Sequence, residues 1–326
     1  MRILAGDVGG TTTRLQLIDF DTPEPRGRLA AEQFFESGRY PSLATIAGEF
    51  LDDHPSEPIE AACIAVAGPI QDDGTVQSVQ LTNLPWHEQN TQLADRLSIP
   101  RLTLINDFLA AGHGVNGLEE GDLVTLQAGK VVARAPRLLV GAGTGLGVAL
   151  LTWQEGRYQP LATEGGHMDF APASELQWRL WKSLHTKYGH VSWERLVSGP
   201  GLETIYQFLR AEQGKTEGTE TPADISNRGM SGGDPLATQA LDLFIELYGA
   251  FTGNLALASL PGAGVFIGGG IAPKIRDRMV RGDFIEAFRA KGRHAALLAT
   301  LPVSLVTRSD LGLMGAALVA RNLLPH

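Results

Sequence analysis

Hydrophobic and polar positions follow two rhythms along this chain, and the changes of rhythm mark its elements. Residues 3–20, "ILAGDVGGTTTRLQLIDF", begin as an apolar run, pass a glycine pair and leave with Thr13, Leu15, Leu17 and Ile18 in near-alternation. That pattern predicts a strand, a tight turn and a second strand rich in β-branched residues. "AACIAVAGPI" is apolar throughout and stops at Gly-Pro, which predicts a buried strand ending in a turn. "RLTLINDFLAAG" starts as a strand and turns helical at or just after Asn106. "RLLVGAGTGLGVALLTW" repeats the opening plan of apolar run, glycine turn and apolar run, and "GVFIGGGIAP" is a further strand with a glycine turn.

The helical rhythm appears between these strands. Residues 41–53 form a helix with Pro41 at its start. Residues 172–188 form an amphipathic helix with a start signal at Ser174 and Gln177, and its apolar face holds Leu176, Leu180, Trp181, Leu184 and Tyr188. Residues 210–233 are polar and glycine-rich, a loop with one short helix after Thr221-Pro222. Asp234-Pro235 then opens a long helix with Leu236, Ala240, Leu243, Leu247 and Phe251 on one face. "LGLMGAALVARNLL" closes the chain as a helix rich in small residues. The repeated strand–glycine turn–strand unit, each time followed by helices and strands, implies two related α/β halves. The expected division is residues 1–109 plus a C-terminal helix 310–326 in a small domain, and 110–309 in a large one.

Composition narrows the function. The chain has 326 residues, with 27 Lys and Arg against 36 Asp and Glu, a net charge of −9. An acidic chain is a poor general partner for nucleic acid, but it can hold phosphate through backbone N–H groups and a metal. Cys63 is the only cysteine, so there is neither an internal disulfide nor a cysteine zinc site. No apolar stretch reaches the roughly 18 residues of a membrane span. The first strand begins by Ile3, leaving no room for a signal peptide, and the end "NLLPH" is no peroxisomal signal. A cytoplasmic protein is expected.

The glycine turns can be tested against known phosphate holders. A P-loop starting at Gly6 needs glycine where Thr11 stands, and no lysine follows. A dinucleotide fingerprint starting at Gly141 needs glycine where Leu146 stands. Both devices also need a helix directly after the loop, and here a strand follows. A tight turn between antiparallel strands makes an anion-binding concavity from its own N–H groups. One such turn is easily a plain hairpin; two in one chain, the first with Asp7 at its base, point to a phosphate site.

"GDVGGTTTRL", "INDF", "GAGTGLGVA", "EGGHMDFAP", "GHVSWERLVSGPG" and "VFIGGGIAP" occur in this order over most of the chain. The set resembles the bacterial glucokinases of the hexokinase-like superfamily, with Thr12 where they usually carry Asn. The resemblance implies two ribonuclease H-like (actin-like ATPase) domains flanking a nucleotide and sugar cleft. It implies ATP and Mg²⁺ as cofactors, glucose as substrate and a homodimer. Gly6, Asp7, Val8, Gly9, Gly10 and Thr11 would form the first phosphate loop, with Asp7 orienting Mg²⁺ through water. Gly143, Thr144 and Gly145 would face the phosphates from the other half. Gly269, within Gly268–Gly270, would pack against adenosine; a strand-to-helix turn is the plain alternative. The related repressor-and-sugar-kinase family carries a zinc on clustered cysteines, which this chain lacks.

Phosphoryl transfer needs alignment, charge neutralisation and a group to take the hydroxyl proton. By resemblance Asp107 is that base and Asn106 binds sugar hydroxyls; an Asn-Asp helix cap is the plain alternative. Glu164 and His167 of "EGGHMDF" and Glu194 of "SWERL", in the first helical turn after Ser192, would complete the sugar set. Glu and His also bind zinc, but no HExxH spacing is present. Trp86 of "TNLPW" lies in a loop that either faces the sugar or is anchored by its tryptophan. A kinase for another hexose, such as mannose or an N-acetylated amino sugar, and a sugar-binding actin-like regulator are the competing readings. Such regulators add a DNA-reading module before the first loop, and this loop begins at residue 6.

Overall fold

The computed structural model describes residues 1–20, 26–55, 57–215, 218 and 220–324. Positions 216, 217 and 219 of the expected loop 210–233, and residues 325–326 of the closing segment, lie outside the described residues. The chain folds as two α/β units. One holds Met1–Leu118, Arg157–Pro160 and the segment from Asp310; the other holds Glu119–Gly156 and Leu161–Ser309.

The first unit is built on strands β1 (Arg2–Val8), β2 (Thr12–Asp19), β3 (Arg28–Glu36), β4 (Ala61–Val66) and β5 (Leu102–Asn106), in the order β3-β2-β1-β4-β5. The first three pair antiparallel, while β1–β4 and β4–β5 are parallel. Strand period 2 sorts the side chains onto two faces. Leu4, Val8, Ala62, Ile64 and Val66 meet helix α1 (Leu43–Asp53) through Leu43, Ile46 and Phe50. Ile3, Ala5, Ala61, Cys63 and Ala65 meet the closing helix, Leu311–Asn322, through Leu313, Ala316, Ala317 and Ala320. Burial pushes the Cys63 thiol far up, so it is a small hydrophobe rather than a nucleophile. The closing helix also lies on helix α2 (Asp107–Gly114) at backbone contact. A Cβ on Gly315 would run into the Ala110 carbonyl, and one on Gly114 into that of Leu311. Its run of small residues is the condition for that approach.

The second sheet contains β6 (Leu123–Gln127), β7 (Arg137–Ala142), β8 (Leu146–Gln154), β9 (Arg157–Thr163), β10 (Val265–Gly268) and β11 (Val303–Val306), in the order β9-β8-β7-β10-β11-β6. Without the added edge strand β6 the order is that of the first sheet, the ribonuclease H-like arrangement. Helices α3 (Glu175–Tyr188), α4 (Gly199–Glu212), α5 (Pro222–Ser231) and α6 (Pro235–Ser259) follow its hairpin. Asp234 caps α6 by accepting from Leu236 N and Ala237 N. The anticipated face of α6 is buried, but so are Leu241, Phe244, Ile245 and Tyr248, so the helix runs through the core rather than along its surface.

Three expectations need correction. Ser174 does cap α3, but Gln177 does not close the box: its Oε1 accepts from Ala173 N and its Nε2 donates to Glu246. Tyr188, placed on the apolar face, is exposed. The helical turn after Ser192 is a single 3₁₀ turn, Trp193–Arg195, and the true helix, α4, starts only at Gly199.

Candidate active site

In the first unit the hairpin closes between Val8 and Thr13, the last cross-strand pair, with Gly9 N donating to Thr12 O (2.9 Å). One amide of the expected anion cradle is therefore spent inside the turn. Ser37 braces the turn from outside. Its Oγ donates to Gly9 O (3.1 Å) and is hydrogen-bonded to Thr13 Oγ1 (2.9 Å), and its N donates to Thr11 O (3.0 Å). Gly10 lies so close to Asn83 of the "TNLPW" loop that a Cβ would strike its side chain. Trp86 is buried with Nε1 donating to Tyr40 O (3.2 Å), so it anchors this loop.

Asp7, one pair before the turn, stands opposite Arg14. Its carboxyl is pushed up to about 6, first by burial and then by the negative charge of Asp107, with Arg14 pulling the other way. Arg14 is itself held by Glu32 (2.6 Å) and lies over the Phe34 ring (4.9 Å). Asp107 is the exposed first residue of α2, and Phe108 N donates to its Oδ1 (2.8 Å), orienting the carboxylate. Asn106 is the helix cap: its Oδ1 accepts from Phe108 N (3.0 Å) and Leu109 N (3.1 Å), while its Nδ2 points to Gly68 O (3.4 Å). Gly312 closes the group, a Cβ there lying 3.7 Å from Asp7 Oδ2 and 3.6 Å from the Asp107 carbonyl.

Two neighbouring acids, one of them pushed up first by burial and then by the charge of the other, form a place where a cation is favourable. Among the described residues no group of three or more metal-ligating side chains is arranged to hold an ion. Mg²⁺ takes one or two carboxylates and completes its shell with water and phosphate oxygens, so Asp7 and Asp107 are the residues that would hold it.

In the second unit the turn 143–145 is closed by Gly143 N donating to Gly145 O (2.8 Å). Behind it, Tyr248 Oη accepts from Ala142 N (3.1 Å) and donates to Val140 O (3.1 Å), fixing the end of β7 from the buried helix α6. Gly269 has φ +80°, and a Cβ there would run into the Ala142 backbone, so internal packing already requires glycine at this position. A strand does follow the turn, as read. Yet the N-terminus of α4 abuts it from elsewhere in the chain, Gly199 N donating to Gly143 O (2.8 Å).

Glu164, His167 and Glu194 come together beside this turn. His167 Nε2 lies 4.0 Å from Glu164 Oε2 and 3.9 Å from Glu194 Oε1. The two carrier segments are stitched by Trp193 N donating to Met168 O (3.0 Å) and by the Asp169–Ser192 bridge. Gly165 and Gly166 let the first segment lie on β8, where side chains would crowd Val148 and the Leu146 carbonyl. Glu194 does more than face His167: its Oε2 accepts from Leu146 N (2.9 Å), directly after the turn.

A family model described as Glucokinase matches residues 4–323. The chain belongs to the glucokinase family. It is similar to the glucokinase of Nostoc sp. (strain PCC 7120 / SAG 25.82 / UTEX 2576), at 43% identity with 98% of this chain and 99% of that one covered. Among solved structures, a glucokinase from an Antarctic psychrotroph is 34% identical with a TM-score of 0.87, covering 98% and 99% of the two chains. A ROK family glucokinase from Streptomyces griseus, solved with glucose and AMPPNP, shares the fold at a TM-score of 0.66 and 21% identity, covering 99% of this chain and 100% of that one. This glucokinase-family chain is therefore a sugar kinase. Three of its residues near the expected site escaped sequence reasoning: Ser37, Tyr248 and Gly312. Only Tyr248 left a signal, a polar tip inside an otherwise apolar helix.

Proposed function

We propose that this glucokinase-family chain transfers the γ-phosphoryl of ATP to the 6-hydroxyl of glucose with Asp107 as general base, giving glucose 6-phosphate and ADP. The observation that carries the assignment of the base is the pairing of Asp107 with Asp7. One carboxylate is exposed and oriented by the Phe108 amide, and the other is buried beside a glycine turn. An exposed carboxylate can take a substrate proton, and a buried one attracts a cation, which supports these two roles. Mg²⁺, held through water by Asp7, would neutralise charge on the phosphates. Gly9, Gly10 and Thr11, and Gly143, Thr144 and Gly145, are the residues that would hold the phosphates. Asn106, Glu164, His167 and Glu194 would bind the sugar hydroxyls, and Gly269 would lie against adenosine. Hydrogen-bonding sites of this kind reject analogues that leave their groups unpaired. The same reading takes the enzyme as a cytoplasmic homodimer serving glycolysis. No described helix is long and apolar enough to cross a membrane.

Asp107→Asn tests the base. Removing general-base help lowers kcat by about 10²–10⁴-fold, while glucose binding by calorimetry stays within a few-fold of the parent. Near-normal kcat in this variant would take the role away from Asp107.

A further inference from the structure

We infer that Glu194 is a positioning residue that ties sugar occupancy to the shape of the second glycine turn, so that glucose and nucleotide binding reinforce one another through this side chain. The inference rests on the reading of Glu194 as a sugar ligand. One of its oxygens faces His167, on the side where the sugar set gathers, and the other accepts from Leu146 N at 2.9 Å. A Cβ on Gly145 would sit 2.7 Å from Glu194 Oε2, so carboxylate and turn are already in contact.

The segment that carries Glu194 grips the turn twice. Its side chain holds the residue after the turn, and five residues on, Gly199 N holds the first residue of the turn, at Gly143 O (2.8 Å). Between these two grips Ser198 stiffens the segment. Its Oγ donates to the Glu194 carbonyl (2.7 Å) and accepts from Gly201 N (3.1 Å), capping α4. The Glu164–His167 segment rests on the same spot, Gly166 lying against the Leu146 carbonyl. The amide and carbonyl of Leu146 are thus both contacted by sugar-binding segments. A sugar that fixes the Glu194 carboxylate removes motion from the turn before phosphate arrives, and the nucleotide then pays less ordering entropy. By linkage the nucleotide must tighten sugar binding by the same factor.

The test is calorimetric titration of the full chain with AMPPNP and Mg²⁺, with and without saturating glucose. The unsubstituted protein should show nucleotide affinity rising with glucose by about 5–150-fold, the usual span of such coupling. Glu194→Ala should weaken glucose binding and, at saturating glucose, bring the gain below about twofold. Glu194→Gln, which keeps an acceptor for the Leu146 amide, should retain most of it. His167→Ala, which weakens glucose binding without touching the Leu146 contact, should also keep the gain at saturation. A full gain in Glu194→Ala despite weakened glucose binding overturns the coupling role and leaves the sugar-ligand reading standing. Unchanged glucose affinity in that variant overturns the sugar-ligand reading, and the coupling role with it.

Discussion

The two glycine turns occupy the same place in two sheets of the same order, yet they are held by different chemistry. The last two cross-strand pairs before the first turn are Asp7–Arg14 and Val8–Thr13; before the second they are Gly141–Gly147 and Ala142–Leu146. The first hairpin thus carries a charge pair at its neck where the second carries bare glycines. Support from outside differs as well. Neutral hydroxyls of Ser37 and Thr13 brace the first turn, whereas the second is braced by the Glu194 carboxylate and a helix N-terminus. Hydrogen bonds to an ionised acceptor are roughly twice as strong as neutral ones. The duplicated unit therefore fixes backbone shape alone. Charge was placed once in each half: inside the first hairpin, and outside the second.

Removing the charge at the first neck should have the largest effect on stability. Burial and the Asp107 charge push the Asp7 carboxyl up to about 6 in the fold from an ordinary value of 3.8, so the folded state holds a proton that the unfolded chain releases. Stability is therefore lost as pH rises from about 4 to about 6. Asp7→Asn should be more stable than the parent above pH 6, by about 3 kcal/mol at most, taking 1.36 kcal/mol per unit over that interval. The gap in melting temperature should close by pH 4. A gap that does not depend on pH would show that the neck charge is not what separates the two hairpins.

Crowding the second turn comes next. Gly145→Ala would push a methyl against the held Glu194 oxygen, and overpacking of this kind costs about 1–3 kcal/mol. A Cβ on Gly143, two residues away, meets nothing within 4 Å. Its alanine variant should melt close to the parent, and equal losses at both positions would mean that Glu194 is not the brace. The smallest effect belongs to the first turn's neutral brace. Ser37→Ala removes hydrogen bonds worth about 1 kcal/mol each and should lower the midpoint of urea unfolding accordingly. A loss well beyond 2 kcal/mol would erase the contrast between neutral and charged bracing.

Much of this was legible in the sequence, for physical reasons. Strand–glycine–strand units announce themselves because apolar runs and glycine turns are both local signals, and Asn106, Ser174 and Asp234 cap helices as their type suggests. What stayed hidden was non-local or sparse. In β3 only Phe35 is buried, so this edge strand shows no alternation. Helix α4 opens with "GPG", which reads as a turn until Ser198 is seen to cap it and proline to occupy its first turn. The small sheet of Gln71–Asp72, Gln77–Gln80 and His87–Gln89 is built from strands too short to show a rhythm. In the site, Asn106 takes the plain role of helix cap with its carbonyl oxygen, while its amide nitrogen donates to Gly68 O. Ser37 and Gly312 carry no motif, since their importance comes from what lies across from them.

The closing helix has a consequence for how the protein is made. It supplies one whole face of the first unit's core, and its glycine contact with α2 admits no substitute, yet roughly 190 residues separate it in sequence from Leu118. At about 5–20 residues per second on the ribosome, the sheet of the first unit waits some tens of seconds for its cover. Throughout that interval Ile3, Ala5, Cys63 and Ala65 face water, or whatever holds nascent chains. The half that is translated first is the half that must finish last.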